Sequence, residues 1–114
     1  MAISEAYAGT EAVSTTEWSM TTDTAGPDAD TTDGVYQIFL DVSDMVAGDE
    51  LQIRVYEKVG AASTQRIVYQ SNLVGAQSPP IWVSPSLILL HGWDCTAKSV
   101  SGTVTLDWSI RKVA

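Results

Sequence analysis

Hydrophobic and polar residues alternate along most of the chain, with the period of two that is typical of β-strands. The clearest strands are predicted over residues 34–42, 50–58, 64–74 and 103–111. In the last of these, one face carries only apolar side chains, which are Val104, Leu106, Trp108 and Ile110. Such strands are half buried, so the pattern predicts sheets with one face in a core and the other in water.

Turn-forming residues separate the predicted strands. Ser43 can cap a single helical turn that ends at Gly48, so we expect a short helical corner there. Pro79 and Pro80 cannot donate to a ladder, which predicts an edge strand or a corner over residues 81–83. Residues 86–97 fit either a short helix or a strand, and the long alternation favours the strand.

These elements predict an all-β fold, an antiparallel β-sandwich of jelly-roll type with about seven strands and one short helical turn. Residues 12–20 form a weaker strand in this interpretation, and residues 21–33, which are nearly all Thr, Asp, Gly, Pro and Ala, form a loop. A chain of 114 residues has the size of one domain. We expect an N-terminal arm at residues 1–10 and a single sandwich domain at residues 11–114, with the arm free to reach a neighbouring copy.

Charge narrows the choice of partners. The chain has 14 acidic and 6 basic residues and a formal net charge of −8, which argues against a nucleic-acid-binding protein. Residues 1–53 carry all but three of the acids and none of the Lys or Arg residues. This asymmetry predicts an acidic side suited to a basic partner surface, unless strands from the two halves interleave and cancel it.

No membrane or export segment is expected. The longest apolar run is Leu87–Leu90, far shorter than the ~18 residues that a membrane span requires. The first residues carry Glu5 where a secretory peptide would be positive, so we expect the protein to start in the cytoplasm in which it is made.

Two groups of residues invite a chemical interpretation. Asp23, Asp28, Asp30 and Asp33 could offer oxygen ligands to calcium, but their spacing is not that of an EF-hand, and a solvated loop is the default. His91, Asp94 and Cys95 could form a nucleophile with its base. On a strand, however, Asp94 faces away from the other two, so packing roles are favoured. No phosphate loop or nucleophile elbow is present in the sequence, and we expect neither an enzyme nor a cofactor.

Aromatic and apolar residues are the candidates for a protein interface. Alternation assigns Trp108 to the core, whereas the positions of the other three tryptophans are open, and core or corner packing is favoured for them. If they are exposed instead, they can stack on sugars or fill the pocket of a partner. The candidate interface residues are Ile3, Tyr7, Trp18, Trp82 and Trp93.

Two stretches carry a resemblance to a known class of proteins. Residues 34–58, and residues 82–94 together with 108–112, resemble small virion proteins of tailed bacteriophages. They are most similar to the jelly-roll or β-sandwich proteins that decorate or cement capsids. The resemblance covers about half of the chain and consists of a strand, an Ala-Gly-Asp corner and an Arg-Val-Tyr strand.

This resemblance implies a structural protein of the virion that binds the outer surface of the capsid and stabilises it. Its expected partners are the major capsid protein and further copies of itself, commonly as a homotrimer, with no nucleic acid or membrane. The alternatives are a tail or neck component of the same virion, a carbohydrate-binding β-sandwich module, and an enzyme subunit. A sugar-binding module would need a row of exposed Trp or Tyr side chains beside carboxylates.

Overall fold

The computed structural model describes residues 2–113, and its regular elements are all β-strands. None of these residues forms a helix that could cross a membrane. There are ten strands where about seven were predicted, because four of them have only two or three residues. The strands are β1 (Ile3–Val13), β2 (Trp18–Ser19), β3 (Thr24–Ala25), β4 (Gly34–Asp41), β5 (Glu50–Glu57), β6 (Arg66–Val74), β7 (Ile81–Val83), β8 (Leu87–Leu89), β9 (Asp94–Ser101) and β10 (Val104–Val113).

The strands form two antiparallel sheets that pack into a sandwich. The first sheet has the order β1-β10-β4-β7, with β8 also paired to β4, and the second has the order β3-β2-β9-β5-β6. Four pairings nest as in one long hairpin: β1 with β10, β2 with β9, β4 with β7 and β8, and β5 with β6. Rolling that hairpin adds the β10–β4 and β9–β5 pairings. This is jelly-roll topology, so the predicted fold class is confirmed.

The core lies between the sheets and is built from the alternate positions that the sequence indicates. On β4, Tyr36, Ile38 and Leu40 are buried, and on β5 the same holds for Leu51, Ile53 and Val55. On β10, Val104, Leu106, Trp108 and Ile110 are buried. Burial of these side chains is the main favourable contribution to folding, at about 1.5–3 kcal/mol for a fully buried Val, Leu or Ile.

The corner between β4 and β5 differs from the prediction. It consists of two consecutive turns, closed by hydrogen bonds from the Met45 N–H to the Val42 carbonyl and from the Asp49 N–H to the Val46 carbonyl, each 3.1 Å long. The predicted single helical turn is therefore wrong. The Asp49 carboxylate also accepts the Val46 N–H at 3.0 Å, which holds the second turn. Gly48, at φ +95°, ends the corner in the left-handed conformation as predicted.

The segment 86–97 contains two strands in different sheets, where one strand was predicted. The chain turns between β8 and β9, and the Glu57 carboxylate ties this turn to the second sheet. It accepts the N–H groups of Leu90, His91 and Gly92 at 2.5, 3.2 and 3.1 Å. In a continuous strand these N–H groups would donate to carbonyls of a neighbouring strand, and here the Glu57 carboxylate accepts them instead.

Residues assigned to the N-terminal arm contribute to the first sheet. Strand β1 begins at Ile3 and pairs with β10 along its length, with a bulge at Ala6. The predicted boundary between residues 10 and 11 therefore falls inside one strand. Met1 lies outside the described residues.

The two halves of the chain interleave, because β10 lies between β1 and β4 in the first sheet, and β9 lies between β2 and β5 in the second. The charge asymmetry along the sequence is thus divided over both sheets. Arg111 on β10, for example, lies directly opposite Glu5 on β1.

Candidate interaction surface

The outer face of the first sheet is unusually apolar for a surface in contact with water. On β4, the inward positions are fully buried, so Val35, Gln37, Phe39 and Asp41 point outward. Val35 lies opposite both Ile88 and Val113, and Phe39 lies opposite Val83. These registers bring outward apolar side chains from four strands together on one surface.

We call this surface the apolar patch, and define it as Ile3, Val35, Phe39, Ile81, Val83, Ile88 and Val113. Ile88 is 83% exposed and Ile3 is 68% exposed. The outer face of the second sheet carries Gln52, Arg54, Gln70, Asn72 and Lys98 at its outward positions, and its edge strand also exposes Val68 and Val74. A group of neighbouring exposed apolar side chains on one face of a small protein is typical of an interaction site.

Two shallow depressions shape the apolar patch. The larger has a volume of about 350 Å³ and the smaller about 190 Å³, and Phe39 and Arg111 line both. The guanidinium carbon of Arg111 lies 3.8 Å from the centroid of the Phe39 ring, a cation–π contact. Arg111 Nε donates to Ser109 Oγ at 3.3 Å, and Ser109 Oγ donates to the Glu5 carboxylate at 2.6 Å. These contacts hold a ridge between the two depressions.

Two carboxylates lie at one end of the larger depression. Asp41 on β4 and Asp107 on β10 are directly opposite in the register, and we call them the acidic pair. Hydrogen bonds from the side chain and the N–H of Ser43 lower the pKa of Asp41, which keeps it ionised. Asp107 accepts the Thr10 hydroxyl at 2.7 Å. Within residues 2–113, no Lys or Arg nitrogen lies within 4.0 Å of either carboxylate.

The five candidate interface residues are dispersed. Only Ile3 belongs to the apolar patch. Trp18 and Trp93 are 5% and 0% exposed, so neither ring is presented to a partner in this conformation. Tyr7 is half-buried, with its edge towards Trp93 and its hydroxyl donating to Asp30. Trp82 is half-buried as well and packs against the core.

Core packing accounts for the tryptophans. The rings of Trp18 and Trp108 meet edge to face, with 5.3 Å between their centroids. The ring centroids of Trp93 and Tyr36 are 4.5 Å apart, and the Trp93 indole N–H donates to the Thr32 carbonyl. The interpretation that these large rings fill a small β-core fits three of the four tryptophans, which are buried.

The sequence does hold a signal for the apolar patch. Val35 and Phe39 occupy the positions of β4 that alternate with its core residues, and a strand facing water would normally be polar there. The contributions of β7 and β8 carry no such signal, because both strands must pair with β4 before Ile81, Val83 and Ile88 reach this face.

Three of the four aspartates of the acidic loop accept hydrogen bonds from within the chain. Asp23 accepts the Trp18 indole N–H at 2.8 Å, and Asp28 accepts the Thr22 hydroxyl at 2.5 Å. Asp30 accepts the Tyr7 hydroxyl and the N–H of Thr32. Within residues 2–113, no three His, Cys, Asp or Glu side chains are grouped as metal ligands.

The candidate nucleophile and its neighbours do not form a reactive cluster. Cys95 is fully buried in the core, and burial raises the pKa of its thiol. Asp94 faces the opposite side of the same strand. It accepts hydrogen bonds from Ser19, Thr21, Asp28 and Cys95, which fasten the acidic loop to the second sheet. His91 lies apart from both, in the turn before β9.

Comparisons with known proteins relate the chain by fold. No protein-family model matches it, and no curated protein matches it either. A structure of PirA has a TM-score of 0.55 and 8% identity, covering 93% of this chain and 92% of that chain. At that identity the likeness shows a shared fold and nothing more.

Two further structures have TM-scores below 0.5. A structure of the Bacillus endospore appendages, described as disulfide-linked pili, has a TM-score of 0.48 and 13% identity, covering 98% of this chain and 87% of that chain. The C-terminal domain of A223, a structural protein from Sulfolobus turreted icosahedral virus, has a TM-score of 0.42 and 12% identity, covering 99% of this chain and 100% of that chain. The structural neighbours thus include a viral structural protein and a pilus protein.

Proposed function

We propose that this chain is a structural protein of a virus particle that binds the outer surface of the capsid and stabilises it. The observation that carries this function is the apolar patch on the first sheet. Exposed apolar surface costs about 25 cal/mol for each Å² left in contact with water, and covering it by a partner recovers that free energy. The resemblance of residues 34–58 and 82–94 to capsid decoration proteins supports the same role.

A jelly roll suits repeated binding to a shell. The patch is displayed on strands β1, β10, β4, β7 and β8, whose backbones are fixed by pairing within the sheet. A surface that is already ordered before binding loses little conformational entropy on association. Such a protein works by covering and joining surfaces and needs no reaction or cofactor.

The proposed partners are the major capsid protein and further copies of this chain, commonly arranged as a homotrimer. The proposed location is therefore the virion. A tail or neck component would use the same kind of surface, and only its position in the particle would distinguish it.

The carbohydrate-binding alternative finds less support in the side chains. Among residues 2–113, five of the Trp and Tyr side chains are buried, and the other three, Tyr7, Tyr69 and Trp82, are half-buried. Phe39 and the buried Trp108 are the aromatic residues that line the depression with the acidic pair, and the Arg111 guanidinium lies over the Phe39 ring. A sugar would have to displace that cation in order to stack there.

Co-sedimentation with capsids that lack this protein tests the proposed function. The variant Val83→Asp places a charge in the apolar patch, and Val68→Asp places the same charge on the edge strand of the second sheet. The two valines are 43% and 48% exposed, so the pair is matched for residue type and burial. Thermal melts of both variants verify that they fold.

We expect Val83→Asp to weaken capsid binding about 30-fold or more, because losing a central apolar contact costs about 2 kcal/mol or more. Val68→Asp should bind within about twofold of the unchanged chain, as expected for a residue outside the contact. Equal binding by all three proteins, or equal loss in both variants, would contradict the assignment of this face.

A further inference from the structure

The larger depression of the apolar patch combines two features that rarely occur together on a free surface. Phe39, Ile81 and Trp108 supply apolar lining, and the two carboxylates of the acidic pair lie at one end, in register with Ile81. On the basis of the proposed function, we infer that this depression receives a lysine or arginine side chain of the capsid surface.

The shape and chemistry of the depression fit such a side chain. Lysine and arginine have a long apolar stem that packs on hydrophobic surface and a cationic tip that seeks anions. In the depression the stem lies along Phe39 and Ile81, and the tip reaches Asp41 and Asp107. A volume of about 350 Å³, open to solvent on one side, is ample for one side chain of this length.

The acidic pair is left uncompensated in the free protein. Carboxylates directly opposite each other on neighbouring strands repel, and this arrangement destabilises a sheet. Lowering of the Asp41 pKa by Ser43 maintains the negative charge. A cation supplied by a partner would attract both carboxylates and offset their mutual repulsion. Relief of that repulsion on binding would strengthen the complex.

Arg111 does not fulfil this role from within the chain. It lines the same depression, but its guanidinium is held over Phe39 and hydrogen-bonded to Ser109. Its cross-strand neighbour is Glu5, an opposite charge in direct register. Arg111 is therefore engaged by Phe39 and Ser109, and among residues 2–113 no Lys or Arg nitrogen lies within 4.0 Å of Asp41 or Asp107.

The test compares two double variants that change the net charge of the chain equally. Asp41→Asn with Asp107→Asn neutralises the acidic pair and preserves the Oδ1 atoms that accept from Ser43 and Thr10. Asp23→Asn with Asp28→Asn neutralises two carboxylates of the loop on the second sheet and serves as the matched control. Capsid co-sedimentation is measured for both at several salt concentrations, together with the melting temperature of each free protein.

We expect neutralisation of the acidic pair to weaken capsid binding about tenfold at low salt, with a smaller effect at high salt. The free double variant should melt close to the unchanged chain, since the removal of a like-charge pair is offset by weaker hydrogen bonds from Ser43 to a neutral amide. Loss of binding together with nearly unchanged stability is the signature of charges kept for a partner. The control variant should bind within about twofold of the unchanged chain.

Other outcomes separate the two ideas. Unchanged binding by the Asp41/Asp107 variant, with binding lost in Val83→Asp, would overturn the cation site and leave the docking face in place. Unchanged binding by both the Asp41/Asp107 variant and Val83→Asp would overturn the docking face itself. Equal weakening by the two double variants would show that net charge matters and the depression does not, which also overturns the inference. The single variant Asp41→Asn provides the same test if the double variant fails to fold.

Discussion

Replacing Asp94 by alanine should destabilise the fold strongly, because this buried carboxylate fastens the acidic loop to the second sheet. Its side chain is fully buried and accepts four hydrogen bonds. Two of these come from the backbone N–H groups of Asp28 and Cys95, at 2.7 and 2.8 Å. Alanine leaves both donors without this acceptor, whereas the hydroxyls of Ser19 and Thr21 can still bond to each other.

The magnitude follows from these bonds. An unsatisfied buried donor costs about 1–3 kcal/mol, and removal of a buried charge returns part of that cost. The expected net loss is about 2–4 kcal/mol of unfolding free energy, out of the ~5–15 kcal/mol that is typical of a domain. For a chain of this length, that corresponds to a melting temperature lower by about 8–16 °C.

Asparagine at the same position gives a pH-dependent comparison. Burial, partly offset by the hydrogen bonds, raises the pKa of Asp94 above its ordinary value of 3.8. The folded protein therefore binds the proton more tightly than the unfolded chain does. Between the raised pKa and 3.8, the stability of the unchanged chain should increase relative to Asp94→Asn as the pH falls, and below 3.8 the difference should stay constant.

Urea denaturation of the three proteins at several pH values measures both effects. A loss below about 1 kcal/mol for Asp94→Ala would refute the anchoring role, since it would fall under the cost of one unsatisfied donor. A decrease in the stability of the unchanged chain relative to Asp94→Asn on acidification would refute the raised pKa.

Two further predictions concern the backbone. Gly102→Ala should lower the unfolding free energy by about 2–3 kcal/mol in urea titrations, because Gly102 has φ +81° and an added Cβ would overlap the Asp49 carboxylate. Gly48 has φ +95° and open space around it, so Gly48→Ala measures the conformational cost alone, about 1–2 kcal/mol. Equal losses in the two variants would contradict the overlap. Deleting residues 1–10 should lower the melting temperature markedly, because it removes eight of the 11 residues of β1 and uncovers the edge of β10; an unchanged melting curve would show that these residues behave as a separable arm.

The accuracy of the sequence-based prediction depends on how each strand is buried. In strands β4, β5 and β10 the alternation in the sequence marks the inward face correctly, since each strand has one side in the core. Strand β1 gave no such pattern, because it lies at an edge and most of its side chains are exposed. Strict alternation would put Ile67 on the same face as Tyr69, but a bulge in the β5–β6 pairing shifts the register, and Ile67 is exposed.

The candidate surface was harder to predict than the fold. Whether a tryptophan is exposed depends on what packs over it, and the residues that cover Trp18 and Trp93 come from distant parts of the chain. The apolar patch likewise collects side chains from both termini and from the segment between β7 and β8. Its outward residues become neighbours only through the jelly-roll pairings, which a pattern of hydrophobicity along one strand does not specify.

Hydroxyl-radical labelling of the free and the capsid-bound protein, followed by mass spectrometry, tests the docking face most directly. The account predicts that oxidation of exposed side chains on the apolar patch, Ile3, Ile81, Val83 and Ile88, falls on binding. Oxidation of Val59, Val68 and Val74, which are exposed elsewhere, should not change. Protection of these three valines with the apolar patch still labelled would contradict the account.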